Sequence, residues 1–152
     1  DHFDLVTLIY CDLGPLLPSE RDQLLGNIKK ALKPGGMLIF DVLNDKNLKS
    51  KVCPKSWEIA EQGFWRSSPY LALSESLLYE EDKVILSQHI ICEDNKTDVY
   101  RFWTHFFSHD DLEKILQPYG FSDISFHEDV LPEGDIRNGS NVTFCIAINA
   151  PI

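Results

Sequence analysis

Side chains suited to acid–base work are few and scattered. Asp12, Tyr70, His89 and His105 are candidates for taking a proton, but a histidine inside a β-rich run is ordinarily a hydrogen-bonded structural residue, and spacing marks none of the four as catalytic. His105 and His109 stand four apart across an expected strand-to-helix junction, so they do not share a helical face. No third ligand lies at a fitting spacing, which argues against a metal site. Cys11, Cys53, Cys92 and Cys145 form no CxxC pair and lie mostly in apolar stretches, as reduced, buried thiols do. The aromatic concentration is more informative. Gly63-Phe64-Trp65, Pro69-Tyr70 and Tyr100 to Phe107 supply the rings that line a small-molecule pocket or pack a sheet, with Trp65, Tyr70, Arg101 and His105 the first choices for contact with a polar substrate.

The elements that must position these residues are legible from periodicity. Phe3 to Tyr10 and Met37 to Leu43 are apolar on both alternating faces, the pattern of strands buried on two sides of a parallel sheet, and the first is expected to be central. Between them Ser19, with Asp22 three residues on, is expected to cap a helix carrying Leu24, Leu25, Ile28, Ala31 and Leu32 on one face, closed before Pro34-Gly35-Gly36. Lys29, Lys30 and Lys33 suit that helix's C-terminal end. Strand, helix and strand in this order make a right-handed α/β unit. Ligands of such sheets collect at the carboxyl ends of the strands, here Tyr10-Cys11-Asp12-Leu13 and Asp41 to Asn44.

Tyr70 to Glu80, Lys83 to Cys92 and Thr97 to Phe107 read as an antiparallel meander with short polar turns, where Glu80-Glu81-Asp82 and Glu93-Asp94 are solvated. Ser108 with Asp111 caps a helix over 109–117. Phe121 to Asp129 and Asn141 to Asn149 are two last strands, the second interior.

Composition bounds the function. The 152 residues are 43% hydrophobic and 25% charged, a balance that builds one core. Fourteen Lys and Arg against 24 Asp and Glu leave a charge of −10, which disfavours nucleic acid and anionic membranes as partners. No run approaches a membrane span and no leader pattern is present, so a cytoplasmic protein is expected. The Asn-x-Ser/Thr triplets at Asn95, Asn138 and Asn141 carry no weight in such a chain.

Phe3-Asp4-Leu5-Val6, then Cys11 to Leu16, then Leu32-Lys33-Pro34-Gly35-Gly36-Met37-Leu38-Ile39-Phe40-Asp41-Val42 resemble, in order and spacing, the second half of the class I S-adenosylmethionine-dependent methyltransferases. The resemblance implies a partial Rossmann-like sheet spanning 1–152 as the C-terminal part of a methyltransferase domain, with the meander at 57–107 as an inserted β-rich substrate lid. It further implies S-adenosylmethionine as cofactor, with Tyr10, Cys11, Asp12 and Leu13 beside its methionine part, and a small-molecule acceptor. The family's Gly-rich turn and its following acidic residue are not in this sequence, so little affinity for the cofactor is expected from these residues alone. The chain opens on Asp1 with an apolar run from Phe3, and a fragment is expected on that basis.

A competing reading is a non-enzymatic binding or dimerisation module of α/β or α+β fold. In that reading Phe3 to Tyr10 is an unpaired apolar edge through which copies associate.

Overall fold

The computed structural model describes residues 3–134 and 136–150. Two units are distinct in it, one made of residues 1–47 and 105–152 and the other of residues 48–104.

In the first unit, Phe3–Leu8 (β1) pairs in parallel with Leu32–Leu43 (β2), from Leu5↔Met37 to Leu8↔Phe40. Pro18–Ala31 (α1) connects them. Val142–Asn149 (β8) lies antiparallel to β2, and Phe121–His127 (β7) closes the sheet antiparallel to β8. The order is therefore β1-β2-β8-β7. His109–Leu116 (α2) precedes β7. Leu25 and Ile28 of α1 and Leu112 and Leu116 of α2 share one core with Leu38, Phe40 and Val42 of β2 and Cys145 and Ala147 of β8, which places both helices on one face of the sheet. The small side chains of β8 let the helices come close. Its larger residues Phe144, Ile146 and Ile148, on the other face, are only half-buried.

Three local expectations are corrected. β1 is an edge strand, and Phe3, Leu5 and Ile9, on the sheet face opposite the helices, are exposed. An apolar run on both faces specifies a strand that can be buried twice, and the neighbours that bury it must come from elsewhere. The cap of α1 is also not Ser19 with Asp22. Pro18 takes the first helical position, where its missing N–H costs nothing, and Glu20 reaches back so that its Oε2 accepts the Leu17 N–H at 2.8 Å. Finally, Ser56–Ala60 is a strand (β3) that periodicity did not reveal. The cap of α2 follows the sequence pattern: Asp111 Oδ2 accepts the Ser108 N–H at 2.8 Å and Ser108 Oγ accepts the Asp111 N–H at 3.2 Å.

The second unit is a sheet of order β3-β4-β5-β6, with Tyr70–Tyr79 (β4), Val84–Glu93 (β5) and Lys96–His105 (β6). β3 and β4, and β4 and β5, pair antiparallel, with Ser74 opposite His89 and Ala72 opposite Ile91. Alternation then sends Tyr70, Ala72, Ser74, His89 and Ile91 to one face and Leu73, Glu75, Leu77, Gln88 and Ile90 to the other.

Candidate functional site

The carboxyl ends of β1 and β2 meet in a turn of unusual backbone. Tyr10 and Cys11 both have positive φ, 94° and 60°. Side-chain-bearing residues rarely take that conformation and each costs on the order of 1–3 kcal/mol there. Asp41 of β2 holds the turn. Its carboxylate is fully buried; Oδ1 accepts the N–H groups of Tyr10 at 2.7 Å and Cys11 at 3.0 Å. Oδ2 accepts Arg137 Nη2 at 2.7 Å and Nε at 3.2 Å, and the Cys11 thiol points at it from 3.6 Å. Two successive backbone amides make an anion-binding concavity, and here the anion is internal. Burial, and next the Asp41 charge, push the Cys11 thiol up to about 12, so this sulfur is a neutral donor and no nucleophile. Burial works against the charge on Arg137, and its bond to Asp41 outweighs that, raising its pKa.

Arg137 also lies over the Tyr10 ring, 4.7 Å from its centroid, and the ring is 73% exposed. Asp12 follows, exposed, and Leu13 turns into the core at 1% exposure, anchoring the turn from below. The chain then bends so that the Gly14 N–H reaches Cys11 O at 3.0 Å. The Gly14 carbonyl accepts the His105 backbone N–H at 2.9 Å, and His105 Nδ1 lies 2.8 Å from the same oxygen. A carbonyl can only accept, so Nδ1 is the donor in this contact.

Tyr10, Cys11, Asp12, Leu13 and His105 are thus brought together at one turn of the first unit. Trp65 and Tyr70 lie together in the second unit, on the face of His89. Trp65 stacks on Tyr100 with centroids 5.2 Å apart and meets His89 at 4.8 Å. His89 Nδ1 is 2.8 Å from Ser74 Oγ, and burial lowers its pKa. Tyr70 is buried and its hydroxyl donates to Glu58 Oε1 at 3.2 Å; burial, then Glu58, raise its pKa. Arg66 orders this face, bonding Glu93 at 2.8 Å and pairing with Asp98 while lying over Tyr100. Arg101 is separate, donating from Nε to Gln88 Oε1 at 2.8 Å on the opposite face. His109 stacks on Phe126 at 4.1 Å and its Nε2 is 3.1 Å from Glu128 Oε1. Among the described residues no group of three or more His, Cys, Asp or Glu is placed to hold a metal.

Sequence reasoning noted Asp41 only as a strand end and missed Arg137. An acid inside Met-Leu-Ile-Phe-Asp-Val-Leu was a usable signal, since a charge in a buried strand needs a partner. Arg137 sits in an irregular segment with no pattern to read.

No family model matches the sequence, and no curated protein sequence matches it. Solved structures do. The chain has a class I methyltransferase fold. It is similar to an S-adenosylmethionine-dependent methyltransferase of Clostridium acetobutylicum at TM-score 0.68 and 12% identity, over 99% of this chain and 59% of that one. The CcbJ methyltransferase of Streptomyces caelestis aligns at TM-score 0.61 and 14% identity, over 99% and 58% of the two chains. An amino pentose methyltransferase of Micromonospora echinaspora, solved with SAM bound, aligns at 0.59 and 13%, over 98% and 59%. The chain therefore spans somewhat under three-fifths of the length of the structures it resembles.

Proposed function

We propose that this chain serves S-adenosylmethionine-dependent methyl transfer to a small-molecule acceptor, as the C-terminal portion of a methyltransferase. The observation that carries this reading is the left-handed Tyr10-Cys11 turn, pinned by a buried carboxylate at the carboxyl end of a parallel strand pair, within a methyltransferase fold. A turn held that rigidly presents the Tyr10 ring, the Asp12 carboxylate and the backbone between them in one arrangement, which is what binding the methionine part of the cofactor requires.

The cofactor supplies an activated methyl on a sulfonium; the protein's share is alignment, exclusion of water and, for an amine or hydroxyl acceptor, a place for the proton. His105 fills the last role. With Nδ1 committed to the Gly14 carbonyl, Nε2 accepts the acceptor's proton, and the imidazolium formed strengthens the Nδ1 bond to that carbonyl. Within the second unit, Trp65, Tyr100 and His89, with Tyr70 beside them, form an aromatic face. Arg101, on the other face, has no part in that surface. A sugar N-methyltransferase and a glycopeptide N-methyltransferase among the similar structures favour an amine acceptor.

The test is a calorimetric titration of S-adenosylhomocysteine into this chain and into the full-length protein. Binding to the longer protein, weakened at least tenfold by Asp41→Asn, is expected. No binding to either protein refutes the reading. His105→Gln is expected to lower the rate of methyl transfer by about 10²-fold while S-adenosylhomocysteine binds within threefold of the unchanged protein; an unaltered rate removes His105 from the mechanism.

A further inference from the structure

The second unit presents a broad apolar sheet face. The register places Leu73, Leu77 and Tyr79 of β4 on the same side as Trp57 and Ile59 of β3. The bond from Arg101 to Gln88 and the contact of Tyr79 with Trp103 at 6.1 Å put the odd-numbered residues of β6 there too, Val99 and Trp103 included. All seven are exposed, Trp57 at 71%, Ile59 at 72% and Trp103 at 48%. Their solvent-facing area is about 700 Å², beyond what a monomer ordinarily leaves open and near the roughly 800 Å² that one partner gives to a standard interface.

The charge and relief of this face point to its occupant. The charged side chains its strands send there are Glu75 and Arg101, with Lys55 at the rim, 3.6 Å from Glu75. In a chain of net charge −10, this face is not acidic, so two copies meeting through it escape the repulsion that opposes contact elsewhere. The face also has relief of both signs. A groove of ≈ 350 Å³ is lined by Lys55, Trp57, Leu73, Glu75, Gln88 and Ile90, and exposed indoles stand on the outer strands at Trp57 and Trp103. A surface with both a groove and a projecting ring can match itself about a two-fold axis, and two sheet faces pack aligned about 10 Å apart with side chains interleaved.

We propose that this face is a homodimer interface, in which two copies stack their β3-β4-β5-β6 sheets and the Trp103 indole of each enters the other's groove. This is independent of the methyltransferase reading and of association through the β1 edge.

Sedimentation of the unchanged chain, and of Ile59→Glu, Trp103→Glu and Leu5→Lys variants, tests it. A dimer is expected at concentrations up to about 100 μM, weakened at least tenfold in Kd by either face variant and unaffected by Leu5→Lys on β1. Both face positions are solvent-exposed, so circular dichroism should show each variant folded. Tryptophan emission supplies a second readout: the face holds Trp57 and Trp103, two of the chain's three tryptophans, so dilution should shift emission to the red and increase quenching by acrylamide. A chain that stays monomeric at about 100 μM leaves the face to a different partner and overturns the proposal. So does a dimer that survives both face variants, or one lost only in Leu5→Lys.

Discussion

Replacing Arg137 by Met should loosen the strand-end turn in a way that can be measured. The substitution keeps the bulk of the side chain and removes the two N–H groups that meet Asp41 Oδ2 at 2.7 and 3.2 Å. Asp41 is fully buried, so no water replaces them. Removing one partner of a buried pair costs about 3–5 kcal/mol; because Arg137 keeps a quarter of its side chain in solvent, the lower end applies, about 3 kcal/mol. For a chain of this length that is a fall in Tm of roughly 6–12 °C. The informative assay is a double-mutant cycle by urea unfolding, with Arg137→Met, Asp41→Asn and both together. The Asp41→Asn side chain retains an oxygen for the Tyr10 and Cys11 amides but loses the charge, so the double variant should be more stable than the sum of the singles predicts, with a coupling of about 2 kcal/mol. Hydrogen exchange at the Tyr10 and Cys11 amides should speed up in Arg137→Met before the sheet amides do. A coupling below about 0.5 kcal/mol, the range of exposed pairs, would refute the argument that this ion pair holds the turn.

Asn149 is buried at the end of β8, and its Nδ2 donates to the Leu32 and Lys33 carbonyls at 3.0 Å each while its oxygen receives Lys29 Nζ. Asn149→Leu should cost about 2–3 kcal/mol in urea unfolding by orphaning carbonyls at the end of α1. At Gly36 a Cβ would sit 2.9 Å from Lys33 O and 3.2 Å from Phe3 O, so Gly36→Ala should destabilise by about 1–3 kcal/mol, read as a lowered thermal midpoint. Among the thiols, exposed Cys53 should be alkylated by iodoacetamide at pH 8 well ahead of Cys11 and Cys145, whose pKa values burial raises from 9.0 to about 12. Because the folded values lie above the unfolded one, the associated stability is complete below pH 9 and is lost as pH rises through about 12; urea midpoints at pH 8 and pH 11 check the sign.

Much of the architecture was legible because it is written locally. Ser108 with Asp111 marked the start of α2 to the residue, since a capping box needs only side chains three apart. The β4, β5 and β6 runs showed through their alternation and short polar turns. β3 did not, because Ser-Trp-Glu-Ile-Ala is too short to display a period; backbone pairing with β4 makes it a strand, and its Trp57 and Ile59 gain no burial in doing so. The turn at Tyr10 to Leu13 was legible as the end of a parallel strand. Its left-handed backbone was not, because neither Tyr10 nor Cys11 favours positive φ and the conformation is imposed by a carboxylate 31 residues away.

Periodicity, capping chemistry and turn residues thus specify which segments become strands and helices and that β1 and β2 run parallel. These are short-range properties, and a few neighbouring side chains suffice to state them. Contacts across the fold decide the rest: that β1 stands at an edge, that Asp41 and Arg137 join through an irregular segment to hold the Tyr10 turn, that His105 spends Nδ1 on Gly14, and that Arg101 turns away from Trp65. The physical reason is that a side chain's charge state, tautomer and exposure depend on what is folded against it, and those neighbours lie far along the chain.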